Sequence, residues 1–175
     1  NYRARMWSPE EARREMERLA PSIDVLFGNE DDAGTVFGIR AQGSDVTKGT
    51  LPVDSYSVVS KRLMDTYGFS TVATSLRTSI SASVNRWAGM MSNSSGHYLS
   101  RTYEILPIVD RVGGGDSYAA GLIFGLMRGD SPQDSVEFAA AASCLKHTIP
   151  GDVNVVTESE VRALAGGDGS GRVQR

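Results

Sequence analysis

The chain has few of the residues that mark secreted, metal-centred or membrane proteins. It has one cysteine, Cys144, in 175 residues, so no internal disulfide can form. That cysteine sits in the apolar run 138–145 and reads as a core side chain, which fits a reducing compartment and a cytoplasmic location. The two histidines, His97 and His147, are too isolated in sequence to suggest a zinc site. No apolar run approaches the roughly 20 residues that a membrane-spanning helix needs. Positive charge is not in excess: 18 Lys and Arg stand against 21 Asp and Glu, a net charge of −3 and a pI near 5.4. Such a balance leaves no basic footprint for nucleic acid. No internal repeat is present. What remains is the composition of a globular chain long enough for one domain or the larger part of one.

The periodicity alternates between helix and strand. Ser8, Pro9 and Glu11 form a capping box with Pro at the first helical position, and Ala12, Met16 and Leu19 mark the inward stripe of the helix that follows. Residues 23–27 read as a strand, then a polar turn at 28–32 and a short helix ending before a loop at 41–51. Tyr56, Val59, Leu63, Met64 and Tyr67 recur at helical spacing and stop at Gly68. Residues 71–76 form the next strand. Residues 77–96, rich in Ser, Asn and Gly, read as an irregular excursion or a hairpin. Two strands, near 97–103 and at 105–109, lead to a glycine cluster. A helix over 117–128, apolar almost all round, ends at Gly129. Ser131 and Pro132 open an Ala-rich helix reaching about Lys146, and Thr157 with Glu160 caps a last short one. This order predicts an α/β fold, a three-layer sandwich with a largely parallel sheet and ligands at the carboxyl ends of its strands. Residues 1–165 belong to that domain, and 166–175, polar and glycine-rich, read as a frayed tail.

The glycine cluster carries the chemistry. Gly113, Gly114 and Gly115 lie where a strand turns into a helix, so their amides can approach a ligand closely and the helix end adds partial positive charge. That geometry suits a phosphate. Asp116 at the helix mouth has the wrong charge to bind an anion, but it makes sense as the acceptor of a proton from an attacking hydroxyl. The plainer reading is a glycine-rich turn with Asp116 as a cap. A Walker loop is excluded because no Lys follows the glycines, and the dinucleotide fingerprint fails because its third glycine position is Tyr118. Gly121 and Gly125 share a helix face and need no role beyond close packing.

Asp110, Gly113, Gly115, Asp116 and Gly121 together resemble the second signature of the PfkB (ribokinase-like) carbohydrate kinases, Asp-x-x-Gly-x-Gly-Asp followed by small residues and Gly. The opening Asn1-Tyr2-Arg3, with Trp7, is similar to a segment of the 2-keto-3-deoxygluconate kinase branch of that family. So are residues 26–30, 75–81 and 146–152. The resemblance implies a ribokinase-like α/β/α sandwich entered partway, without its N-terminal part and substrate lid. It implies transfer of the ATP γ-phosphoryl group to the 6-hydroxyl of 2-keto-3-deoxygluconate, with Asp116 as base and Gly113 to Asp116 as the anion hole. On that reading the 175 residues alone are not expected to be an active kinase, and a homo-oligomer would form through the missing lid. Small-molecule sugar acid and ATP are the implied partners.

Further site residues follow from the same resemblance, each beside a plainer reading. Arg3 would hold the substrate carboxylate with its guanidinium fork, or is a surface arginine. Asp152 would accept hydrogen bonds from sugar hydroxyls, or is a turn residue after Pro-Gly. Asn29 and Asp32 occupy the place of the family's Asn-x-x-Glu motif, tied to Mg²⁺ and its waters; Asp replaces the Glu, and Glu30 offers a longer carboxylate nearby. An ordinary acidic helix start explains them equally. Ser75 and Arg77 stand where the family contacts nucleotide phosphates, or Arg77 is a solvated loop residue. Residues 139–146, with Lys146 among the nucleotide contacts, would wall the adenine site, though core packing gives the same composition. Two other functions compete: a PfkB kinase for a neutral sugar or nucleoside, and a noncatalytic nucleotide-binding domain. Asp116 argues against the latter, because pure anion binding gains nothing from a neighbouring negative charge.

Overall fold

The computed structural model describes residues 2–28, 30–40, 53–81 and 83–167. The chain divides into two compact units, Asn1–Leu76 with Met90–Tyr98 and Arg77–Gly89 with Leu99–Arg175. Among the described residues no helix is long and apolar enough to cross a membrane.

In the first unit, helix α1 (Pro9–Leu19) starts at the expected capping box: the Glu11 amide donates to Ser8 Oγ at 3.2 Å and the Ser8 amide to Glu11 Oε2 at 2.9 Å. These bonds satisfy two of the donors that a helix start leaves open. A 3₁₀ turn, Ala20–Ser22, leads into strand β1 (Val25–Gly28) and helix α2 (Glu30–Val36). Helix α3 (Val53–Tyr67) stops at Gly68, whose amide bonds to the Met64 carbonyl. Strand β2 (Thr71–Ser79) runs three residues beyond the expected end and pairs parallel with β1, Val25 opposite Thr71 and Gly28 opposite Thr74. Phe37, Leu63, Phe69 and Val72 are buried in the core behind this pair, and Met16 of α1 packs against them.

Two further strands occupy the stretch whose composition left it open. Strand β3 (Asn85–Asn93) and strand β4 (Gly96–Leu99) flank a tight turn, so the hairpin alternative holds. In the second unit the start of β3 pairs antiparallel with strand β5 (Tyr103–Ile105), Asn85 opposite Ile105 and Trp87 opposite Tyr103. Strand pairing is therefore mixed in direction. β5 replaces the strand expected over 105–109. Pro107 has no N–H to offer a ladder. Beyond it the Val109 amide goes to the His147 carbonyl, 2.8 Å away. Three helices complete the unit. α4 (Gly114–Arg128) and α5 (Pro132–Lys146) lie against each other, and α6 (Glu158–Ala165) packs on α5 behind its Thr157–Glu160 capping box. A Cβ on Gly121 would lie 2.9 Å from Ala139 Cα, and one on Gly125 2.9 Å from Ser135 Oγ, so the two glycines do set the α4–α5 approach. The last described residues, Gly166 and Gly167, close α6; the rest of the expected tail lies outside the described residues.

Candidate active site

The site is built at the start of α4, which begins three residues earlier than its apolar pattern suggests. Gly113 is the N-cap at φ +77°, Gly114 and Gly115 open the first turn, and Asp116 is its third residue. The Gly114 amide bonds to the Arg111 carbonyl at 3.3 Å and the Ser117 amide to the Gly113 carbonyl at 2.8 Å. The amides of Gly115 and Asp116 have no partner among the described residues. They point out of a helix N-terminus, where the backbone dipoles favour negative charge. The Asp116 carboxylate beside them is exposed and makes no hydrogen bond to any described residue. Two donors without partners and one acceptor without a partner thus share one helix mouth.

A cavity of about 490 Å³ opens there. Gly113, Asp116, Asp152 and Asn154 contribute its polar wall. Phe124 and Phe138, stacked with centroids 5.2 Å apart, form an apolar floor with Ala142 and Val156. Asp152 is placed by the cradle itself: a Cβ on Gly113 would overlap the Asp152 carbonyl oxygen and come within 2.9 Å of its Oδ1. Only glycine leaves room for this approach. The structure therefore brings Gly113, Asp116 and Asp152 together at one cavity, while Gly114 and Gly115 open the adjoining helix turn without lining it.

Beneath the cradle lies a support that composition and spacing gave no reason to single out. Ser143 Oγ, buried on α5, donates to the Gly114 carbonyl at 2.7 Å. The His147 ring sits directly under Gly114, where a Cβ would lie 2.6 Å from His147 Cε1. Its Nδ1 bonds to the Ser143 carbonyl at 2.7 Å, and its other face meets Trp87, centroids 4.9 Å apart. Burial lowers the His147 pKa below its ordinary 6.5; the Ser143 carbonyl partly opposes this, and the charges of Lys146, Arg111 and Arg77 add to it. The unfolded chain thus takes up a proton before the folded one does. The stabilisation from neutral His147 is complete above pH 6.5 and declines as pH falls below it. We expect the melting temperature to drop on acidification from pH 7 to 5, and the drop to be smaller in His147→Gln; equal slopes in both proteins would refute it.

Arg77 stands on β2 and is not among the residues lining the cavity. Arg111 donates to the Ser81 carbonyl at 3.2 Å. Lys146 requires a correction. It is wholly buried, its Nζ donates to the Ile149 carbonyl at 3.0 Å, and it is not among the residues lining the cavity. As the last residue of α5 it meets the negative helix end, which draws its charge inward and away from any nucleotide. Of the run 139–146, Ala139, Ala140 and Ala141 are core, and Ala142 alone reaches the cavity. The remaining candidates belong to the first unit. Arg3 is exposed before α1, Ser75 is half-buried on β2, and Asp32 is half-buried on α2 close to Gly28. Asn29 and the side chain of Glu30 lie outside the described residues. Among the described residues no three His, Cys, Asp or Glu side chains gather as a metal cluster. A Mg²⁺ ion held chiefly by water and phosphate needs only one or two carboxylates, and among the described residues Asp32 is the candidate that the sequence offers.

Residues 88–160 match the family described as pfkB family carbohydrate kinase. The chain is 30% identical over 170 residues to a 2-dehydro-3-deoxygalactonokinase of Haloferax volcanii, covering 96% of this chain and 46% of that protein. The crystal structure of a Thermotoga maritima 2-dehydro-3-deoxygluconokinase superposes with a TM-score of 0.88 at 45% identity, over 95% of this chain and 49% of that one. Residues 88–160 thus carry the PfkB likeness, and both relatives are named as 2-keto-3-deoxy sugar-acid kinases. The chain's fold is ribokinase-like, shared at a TM-score of 0.56 with a Thermotoga maritima ribokinase of 19% identity, over 84% of this chain and 43% of that one. The chain spans about half the length of the relatives it matches.

Proposed function

We propose that the chain carries the phosphoryl-transfer centre of an ATP-dependent sugar-acid kinase, with 2-keto-3-deoxygluconate as acceptor through its 6-hydroxyl. One observation carries this reading: at a single helix mouth the Gly115 and Asp116 amides and the Asp116 carboxylate have no partner among the described residues, and Asp116 lines the adjoining cavity. The acceptor hydroxyl oxygen attacks the γ-phosphorus, the bond to the β–γ bridging oxygen breaks, and ADP leaves. Asp116 takes the hydroxyl proton, late in a loose transition state. The amides of Gly115 and Asp116 stabilise the charge on the transferred group, and donors placed where charge develops are worth about 3 kcal/mol each. Asp152 orients the acceptor by accepting from its hydroxyls. Arg77 adds positive charge toward the nucleotide phosphates, with Ser75 as a second nucleotide contact. Asp32, with Asn29 or Glu30, would hold Mg²⁺ through water, and the ion would supply neutralisation of phosphate charge.

The names of the relatives supply the acid part of the proposal. One is named for the galacto epimer and one for the gluco epimer of the same 2-keto-3-deoxy acid. Arg3 is the group we assign to such a carboxylate, because a guanidinium fork matches it bidentately. The test is ADP release by the intact protein with 2-keto-3-deoxygluconate, its galacto epimer and fructose. Turnover should be highest with the sugar acids. In Arg3→Met the KM for the acid should rise about 10–100-fold while the KM for ATP stays put, as expected for a lost charge-assisted contact. Faster turnover of fructose would replace this reading with that of a neutral-sugar kinase. No turnover above ATP hydrolysis with any sugar would favour a noncatalytic nucleotide-binding domain.

A further inference from the structure

Two charged side chains beside the cavity do not line it, and both grip the same turn. Asp110 accepts from the Val112 amide through Oδ1 at 3.0 Å and from the Gly151 amide through Oδ2 at 2.8 Å. The first bond holds the loop that leads into the cradle, and the second reaches 41 residues along the chain to the turn before Asp152. Lys146 approaches the same turn from the buried side, its Nζ on the Ile149 carbonyl at 3.0 Å and its residue wholly buried. A buried ammonium is costly unless carbonyls and an opposite charge surround it. The two groups sense each other: the amides of Val112 and Gly151 hold the Asp110 carboxyl below the usual carboxylate range, and the Lys146 charge adds to the effect. The turn they hold is the one whose carbonyl, at Asp152, lies against Gly113.

We propose that Asp110 and Lys146 are positioning residues that lock the 149–152 turn onto the anion cradle, so that Asp152 and Asp116 face the cavity in one fixed register. This rests on the kinase reading above. Neither residue lines the cavity. The carboxylate fixes the donors of both loops and the ammonium fixes an acceptor of the turn, so each holds a different atom of the same four residues. In Asp110→Asn the side-chain amide puts a donor where one oxygen now accepts, and at least one of the two loop contacts is lost. In Lys146→Met the stem still packs while the Ile149 carbonyl loses its partner.

The experiment compares wild type, Asp110→Asn, Lys146→Met and the double variant as intact protein, by amide exchange at Gly151, ADP binding calorimetry and steady-state kinetics with sugar acid. Exchange at Gly151 should accelerate about tenfold or more in Asp110→Asn, since a freed turn opens locally. The kcat should fall by up to about 100-fold, as for small misplacements of reacting groups. The Kd for ADP should stay within about threefold, because the cradle amides are untouched. The double variant should lose little beyond the worse single, since both act on one turn. Unchanged exchange at Gly151 overturns the lock, and so does faster exchange with an unchanged kcat. Loss of ADP affinity in parallel with kcat would instead mean general loosening and also overturns it. Should Lys146→Met not fold, Asp110→Asn decides alone. A wild-type protein that phosphorylates no sugar acid removes the kinase reading, and the exchange comparison then decides the lock by itself.

Discussion

Asp116→Asn is expected to lower kcat for sugar-acid phosphorylation by about 10²–10⁴-fold, the range typical of losing a general base, while ADP affinity changes little. The amide is nearly the size of the carboxylate, so the cavity keeps its shape. The wild-type side chain makes no hydrogen bond to any described residue, and none of those contacts is lost on substitution. The cradle amides at Gly115 and Asp116 belong to the backbone and persist in the variant. Folding should be affected only through the helix dipole, where an acid in the first turn is worth about 0.3–1 kcal/mol. Steady-state ADP release, read beside calorimetric ADP binding and a urea melt, separates these terms. A variant keeping more than half of wild-type kcat would remove Asp116 from the chemistry and leave it a helix-start acid.

What was legible in the sequence was local. Ser8 with Glu11 and Thr157 with Glu160 each close their hydrogen bonds within three residues, so the pattern alone fixes those helix starts. The stops at Gly68 and Gly129 are similarly short-range, both at positive φ. The start of α4 is not legible locally: Gly114 and Gly115 are poor helix formers by propensity, yet the Ser143 hydroxyl, 29 residues away, holds Gly114 in the helix. β3 was hidden for a different reason. Trp87 to Ser92 is buried at every position, so the period-2 alternation that reveals a half-exposed strand is absent, and the flanking Ser and Asn residues read as loop. Among site residues, Asp116 and its glycines were readable because strand, turn and helix are contiguous. The packing of His147 under Gly114 and the reach of Asp110 to Gly151 were not, since both span more than 30 residues. For Lys146 the sequence gives a charge but not its direction, and the end of α5 turns it inward.

The two outer glycines of the cradle should respond to alanine in opposite ways. Gly113→Ala puts a side chain at φ +77°, a left-handed conformation costing about 1–3 kcal/mol where the surroundings hold it. The new Cβ would also overlap the Asp152 carbonyl oxygen, which is backbone and has no rotamer to yield. The 149–152 turn must move off the cradle, taking the Asp152 carboxylate with it. We expect a stability loss of about 2–3 kcal/mol and a fall in kcat/KM of about 100-fold, the cost of a displacement near 1 Å. Gly115 lies two residues further along the same loop-to-helix junction, and a Cβ there meets nothing within 4 Å at an ordinary helical φ. Gly115→Ala should leave the urea midpoint unchanged or raise stability by up to about 1 kcal/mol, because alanine is the better helix former. Any kinetic loss it shows reports only crowding of the bound phosphate. Equal destabilisation by the two alanines would mean that the cradle tolerates movement at Asp152, and the placement of that carboxylate by Gly113 would have to be abandoned.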